Sequence, residues 1–144
     1  MDDKKKPIGV LFFGSINCFL LGFLPFFMFL LTFFKVKPSH VEELVELFKK
    51  KGIIIQISYR QFQIINIIYI LIAFIFFVSG LGLLLKKIWG QRLTVYFSFF
   101  WLILISFSAL LNPSLIQYLF INAIYPAILV LYFTKKNIQN YFKD

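Results

Sequence analysis

The sequence predicts an all-α fold, a membrane bundle of four transmembrane helices with one amphipathic helix in the first loop. Three observations predict this fold class. The chain is 60% hydrophobic and only 15% charged, whereas soluble domains carry about 25% charged residues. Four apolar runs contain no charged side chain, and each is close to the roughly 20 residues that cross a hydrocarbon core. A polar segment after the first run has the apolar spacing of a surface helix.

The predicted spans cover about residues 8–34, 62–85, 93–111 and 115–133, and the amphipathic loop helix covers about 39–51. We interpret residues 1–144 as a single membrane domain. Lys4, Lys5 and Lys6 precede the first run, as basic residues precede a signal peptide. The run is longer than a cleaved hydrophobic region, and no small-residue cleavage site follows it. We therefore expect an uncleaved signal anchor.

The positions of the basic residues predict the orientation of the chain. The net charge is +9, and the basic residues flank the apolar runs, which favours lipid headgroups over nucleic acid as the reason for this charge. With the N-terminus in the cytoplasm, nine Lys and Arg residues lie on the cytoplasmic side and six on the other. Because cytoplasmic loops carry more Lys and Arg, both termini are expected in the cytoplasm. The predicted location is the inner or plasma membrane, with multiple spans.

The first loop contains the predicted amphipathic helix. Ser39 and Glu42 have the spacing of a capping box, in which each side chain bonds to a backbone amide of the other residue. Four apolar residues then recur on one face, namely Val41, Leu44, Val45 and Phe48. This face is a possible interface or docking surface, which lies on the bilayer, caps the bundle or binds a partner. His40, the single histidine, is expected to face solvent.

The spans lack the residues that membrane enzymes and ion-coupled transporters use. An ionisable residue inside a span would mark a proton relay or substrate site, and the four runs contain none. Cys18 is the single cysteine, so no CxxC motif or intrachain disulfide can form. The sequence therefore predicts no catalytic, cofactor-binding or metal-ligating residues. We expect a chain that binds no cofactor and is not an enzyme.

Small and amide residues are the distinctive residues within the spans. Gly14, Cys18 and Gly22 form a stripe at four-residue spacing, which lets another helix approach closely. Asn17 and Asn122 are both expected near the middle of the membrane, and Pro25 and Pro126 are expected to loosen the first and fourth helices. One interpretation is a small polar pocket between the first and fourth spans, formed by Gly14, Asn17, Cys18, Gly22, Asn122 and Pro126. The other is ordinary helix packing.

Three stretches carry a resemblance to a known group. They are Lys6–Gly9 at the start, Gly80–Arg92 with its basic Trp-containing turn, and Tyr132–Phe142 at the end. Together they resemble a broad group of small, uncharacterised prokaryotic four-span integral membrane proteins. The resemblance concerns the layout of most of the chain and implies the fold and the membrane location. It implies no catalytic residues.

Three functions are consistent with these features. The leading hypothesis is a structural or interaction role, as an accessory membrane subunit or a self-associating protein. The second is a facilitating transporter or pore former, for which the spans would need an aligned polar stripe. The third is binding of a lipid or hydrophobic ligand in an uncharged aromatic pocket. Membrane lipids are the expected partners, together with other membrane proteins or a second copy of the chain, and nucleic acid is not expected.

Overall fold

The computed structural model describes residues 7–50, 57–111 and 116–143, and it confirms the predicted all-α class. The described residues form six helices and no strand. We number the helices α1 (Ile8–Lys35), α2 (Pro38–Lys50), α3 (Tyr59–Leu84), α4 (Ile88–Leu111), α5 (Ile116–Phe133) and α6 (Lys136–Lys143).

Three of these helices, α1, α3 and α4, are long and apolar enough to cross a membrane. At 28 residues, α1 would be about 42 Å long, which exceeds a hydrocarbon core of about 30 Å. The fourth predicted span corresponds to α5, whose described apolar stretch, Phe120–Phe133, is shorter. The count of spans that the structure supports directly is therefore three.

Several helices have bounds that differ from those of the predicted spans. The third span was predicted to start at residue 93, but α4 begins at Ile88, because α3 ends abruptly and the connection takes only residues 85–87. The second span starts at Tyr59, where Ser58 and Gln61 form a capping box that the prediction missed. The helix α6 was not predicted. Asn112, Pro113 and Ser114 have the composition of a turn, and they lie outside the described residues.

The start of α2 also differs from the prediction. The helix begins at Pro38, so Ser39 lies in its first turn and not at the N-cap. The observed bond there runs from the Lys37 backbone N–H to His40 Nδ1, at 3.1 Å. His40 is exposed, as expected. Proline favours the first helical position because its φ angle is already helical and it needs no N–H partner there, which explains the earlier start.

The middle of α1, Ile16–Phe23, is π-helical. Pro25 lies two residues after the end of this segment. Proline lacks an N–H donor, and in an α-helix its ring clashes with a preceding carbonyl. The Leu24 N–H bonds to the Phe19 carbonyl, five residues back. This wider turn changes which carbonyl faces the proline ring, so α1 continues past Pro25 to Lys35.

Small residues bring α1 and α3 into backbone contact. A methyl group at Gly22 would lie 2.5 Å from the Cα and N atoms of Phe77. A methyl group at Gly80 would overlap the backbone of Cys18. Helices that approach this closely gain van der Waals contact along their backbones, which is a main source of helix association in lipid.

The best packed part of the molecule lies where α3 ends and α4 begins. Val10, Leu83, Leu129 and Phe133 join there with the apolar side of α6, which is formed by Ile138, Tyr141 and Phe142. The pair α1–α3 and the pair α4–α5 therefore meet at this end, which we call the α6 end. The opposite end carries α2, which packs against α3.

Candidate functional site

A lateral cavity of 440 Å³ lies between the two helix pairs. Its wall takes residues from α1, α3, α4 and α5. The residues that α1 and α3 contribute are all apolar, namely Ile16, Leu20, Leu21 and Phe76.

 The rest of the wall comes from α4, with Phe97, Ser98 and Trp101, and from α5, with Ile121, Asn122, Tyr125 and Pro126. The cavity therefore has an apolar side on the first helix pair and a more polar side on the second.

A hydrogen bond across the bundle closes one edge of this cavity. The Tyr125 hydroxyl donates to Asn17 Oδ1 at 2.5 Å, which links α5 to the π-helical part of α1. Asn17 is fully buried, and its Nδ2 atom has no hydrogen-bond partner among the described residues. A buried amide without a partner is costly, so one donor beside the cavity wall is unsatisfied. π-helical turns of this kind are rare and are often found at functional sites.

The structure divides the predicted pocket residues into two groups. Gly14, Cys18 and Gly22 are buried against α3, on the packing side of α1. Asn122 and Pro126 line the cavity, and Asn17 contacts it through Tyr125. The residues of the packing stripe therefore lie on α1, whereas the predicted pocket residues that line the cavity lie on α5.

Sequence reasoning missed Tyr125, Ser98 and Trp101. Tyr125 lies three residues after Asn122 and one before Pro126, so all three share one face of α5, and this spacing could have identified it. Ser98 is 2% exposed, but serine is common in spans, and nothing in the sequence distinguishes it. Trp101 is one of many aromatic residues in a chain that is 21% aromatic.

A second set of polar contacts joins α3 to α1 near α2. The Tyr59 hydroxyl donates to the Val36 carbonyl at 3.2 Å, and Asn66 Nδ2 donates to the Phe29 carbonyl at 2.8 Å. Between them, Gln63 Nε2 donates to the Tyr59 hydroxyl at 2.7 Å. These bonds join the two helices inside an apolar interface, and we assign them to packing. The Gln63 Oε1 atom is buried there and has no hydrogen-bond partner among the described residues.

The predicted face of α2 is only partly covered. Val41 is 3% exposed, Val45 and Phe48 are half-buried, and Leu44 is 44% exposed. Leu47, which the prediction did not include, is 58% exposed. The helix therefore packs on α3 through one edge of its apolar face and leaves Leu44 and Leu47 uncovered.

The side chains that line the cavity are uncharged. Its lining offers hydroxyl, amide and indole groups and no carboxylate, amine or imidazole. Among the described residues no group of three or more His, Cys, Asp or Glu could hold a metal ion. No protein-family model, no curated protein and no solved structure matches the chain. The fold itself defines an all-helical protein with three helices that are able to span a membrane.

Proposed function

We propose that this chain is a non-catalytic, four-span membrane protein that binds a lipid or a comparable hydrophobic molecule in the lateral cavity. The fourth span in this proposal is α5, which begins at Ile116 and includes the apolar stretch Phe120–Phe133. Both termini lie in the cytoplasm in this proposal, because the basic residues are more numerous on that side.

One observation carries the proposal, namely the cavity with a hydrogen-bonded pair at its edge. Ligand pockets have volumes of about 300–1,000 Å³ and combine an apolar lining with a few polar groups, and the cavity of 440 Å³ falls within this range. Its apolar wall suits an acyl chain. Asn122 and the Tyr125 hydroxyl lie where an ester or hydroxyl group of the same ligand would find partners.

Fluorescence quenching by brominated phosphatidylcholine tests this proposal. Trp101 lines the cavity, and it becomes the single tryptophan after Trp89→Phe. A brominated acyl chain that enters the cavity should quench Trp101. Ile121→Phe narrows the cavity, whereas Ile124 lies on the same helix outside the lining, so Ile124→Phe is the matched control.

We expect Ile121→Phe to reduce the quenching and Ile124→Phe to leave it unchanged. Equal quenching in all three proteins would show that Trp101 senses bulk lipid alone, and the cavity would then have no role in binding. Circular dichroism of each variant establishes that the helices are retained.

The second candidate is the accessory or interaction role. The uncovered Leu44 and Leu47 on α2 favour it, because an exposed apolar pair beside a helix bundle is suited to contact with another surface. That surface is either the bilayer or another membrane protein. The two are separated by the labelling experiment on α2 described in the Discussion.

A further inference from the structure

A second pocket, of 250 Å³, lies at the α6 end between the first turns of α4 and the short helix α6. Arg92 on α4 and Lys143 on α6 both line it, together with Thr134 and Gln139. Val95 and Tyr96 continue the same surface along α4. The pocket is therefore basic at its outer side and becomes apolar towards the middle of the spans.

Two hydrogen bonds, one buried and one exposed, hold the walls of this pocket in place. Gln91 is 8% exposed, and its Nε2 atom donates to the Phe133 carbonyl at 2.8 Å, which fixes the end of α5 against α4. Gln139 Nε2 donates to the Thr134 carbonyl at 3.1 Å, across the turn that leads into α6. The apolar side of α6 is itself anchored in the core. The positions of Arg92 and Lys143 are thus set by packed elements.

Among the described residues, only basic side chains carry charge at the α6 end. The α6 end carries six basic residues within the described part of the chain, namely Lys86, Lys87, Arg92, Lys135, Lys136 and Lys143. The acidic residues of that part, Glu42, Glu43 and Glu46, all lie on α2 at the opposite end. The described ion pair, Lys50 with Glu46 at 3.6 Å, is on α2 as well. Arg92 and Lys143 therefore face no described carboxylate.

We propose that this pocket binds the phosphate group of an anionic phospholipid, with Arg92 and Lys143 as its cationic contacts. The guanidinium group of arginine matches two phosphate oxygens at once, and lysine adds a compact positive charge. Basic pockets between membrane helices on the cytoplasmic side are suited to acidic headgroups. Val95 and Tyr96 provide the surface along which an acyl chain leaves the headgroup.

The proposal depends on membrane insertion but not on ligand binding in the lateral cavity. The proposed ligand is recognised by its phosphate group, which inorganic phosphate also has. The experiment therefore includes both the lipid and inorganic phosphate. The purified protein is reconstituted in nanodiscs of phosphatidylcholine, and binding of a headgroup-labelled fluorescent phosphatidylglycerol is measured by energy transfer from the tryptophans. Inorganic phosphate is then added as a competitor at millimolar concentration.

Two double variants are compared, and each loses two positive charges at the α6 end. Arg92→Gln with Lys143→Gln removes both pocket cations, and Lys87→Gln with Lys136→Gln removes two exposed cations that do not line the pocket. We expect the pocket variant to bind phosphatidylglycerol at least about ten-fold more weakly, while the control changes less than about two-fold. Phosphate should not displace the lipid.

Each alternative outcome contradicts the proposal in a recognisable way. Equal weakening in both variants would mean diffuse attraction to the basic surface, and the pocket would not be the site. Displacement of the lipid by phosphate would make free phosphate the preferred ligand. Failure of the protein to enter nanodiscs would instead contradict the membrane placement, and quenching of Trp101 tests the lateral cavity separately.

Discussion

Gly14 and Gly22 lie on the same side of α1 but face different parts of α3. A methyl group at Gly22 would meet the backbone of Phe77 at 2.5 Å, and backbone atoms move only if the helix moves. A methyl group at Gly14 would meet Leu84 Cδ2 at 3.0 Å, at the end of a flexible side chain. The same substitution should therefore have different costs at the two positions.

We predict that Gly22→Ala lowers the free energy of unfolding by about 1–3 kcal/mol, as overpacking in a tight interface does. Gly14→Ala, the matched control, should cost less than about 1 kcal/mol. Thermal unfolding in detergent, followed by circular dichroism, measures both variants. Equal melting temperatures for the two variants would mean that α1 and α3 are not held at backbone contact.

The hydrogen bond between Tyr125 and Asn17 leads to a second prediction. Tyr125→Phe leaves Asn17 Oδ1 without this donor, and interhelical hydrogen bonds in lipid contribute about 0.6–2 kcal/mol. We expect a loss of that size in detergent unfolding. In a double-mutant cycle with Asn17→Leu, the two losses should not add, because both variants remove the same bond. Additive losses would indicate that the two residues act independently.

Asn17 and Asn122 were predicted as site residues from the sequence, but Gln63 and Asn66 were not, and no partner was predicted for any of them. Asn17 and Asn122 stand out because amide side chains are rare inside apolar runs, and each must find a partner there. Tyr125 does not stand out among the 7 tyrosines and 21 phenylalanines. Which of many aromatic residues meets Asn17 depends on how α5 is rotated against α1, and that rotation is a property of the tertiary packing.

The end of α3 has a cap that the usual sequence preferences do not predict. The Lys87 N–H bonds to the Gly82 carbonyl at 2.8 Å and the Lys86 N–H to the Leu83 carbonyl at 3.2 Å, the pattern of a Schellman motif. Glycine usually takes the left-handed position of this motif, but here Lys86 takes it, with a φ of 55°. The Lys86 Nζ atom lies 4.7 Å from the centroid of the Tyr141 ring.

Two substitutions at Lys86 separate the backbone from the side chain. Both Lys86→Gly and Lys86→Ala remove the contact with Tyr141, but only alanine keeps the cost of a left-handed backbone, about 1–2 kcal/mol. We expect Lys86→Gly to be more stable than Lys86→Ala by about 1 kcal/mol in detergent unfolding. Equal stabilities would show that residue 86 is not left-handed in the folded protein.

The uncovered face of α2 is tested by a label that senses its surroundings. In a Cys18→Ser background, Leu47→Cys and Glu43→Cys are labelled with an environment-sensitive fluorophore in nanodiscs. If the bilayer covers Leu47, its emission should shift to the blue relative to that of Glu43. If both positions report water, the face is free for a protein partner, and the interaction role gains support.

The helices themselves were more predictable than their ends. Long apolar runs predict spans because their burial in lipid does not depend on which neighbour they meet, and α1, α3 and α4 coincide with three such runs. The helix α4 begins at Ile88, before the predicted third span, because Lys86 to Arg92 was interpreted as one polar connection. α6 was missed because its apolar residues, Ile138, Tyr141 and Phe142, are few and depend on the bundle for cover.

At the scale of the whole molecule, the two ends differ in both packing and charge. The α6 end holds the buried core and only basic residues among those described, whereas the α2 end carries the three described glutamates among its basic residues. Between the ends, the helix pairs enclose the lateral cavity. A cytoplasmic α6 end would place the larger positive charge beside the acidic lipids of that leaflet.

This orientation is the last prediction, and cysteine labelling from outside the cell tests it. Cys18 is first replaced by serine, and new cysteines are placed singly at Glu46, Asn112, Lys87 and Lys136. Glu46 lies on α2, while Lys87 and Lys136 lie at the α6 end. Asn112 lies outside the described residues and is chosen from the sequence, since it follows the third apolar run.

An impermeant maleimide should label Glu46→Cys and Asn112→Cys, and it should label Lys87→Cys and Lys136→Cys only after the membrane is permeabilised. The physical reason is the excess of Lys and Arg at the α6 end and the N-terminus, which retains those segments in the cytoplasm. The reverse pattern would invert the topology. Labelling of Asn112→Cys from the same side as Lys136→Cys would show that α5 does not cross the membrane, and the count of spans would remain three.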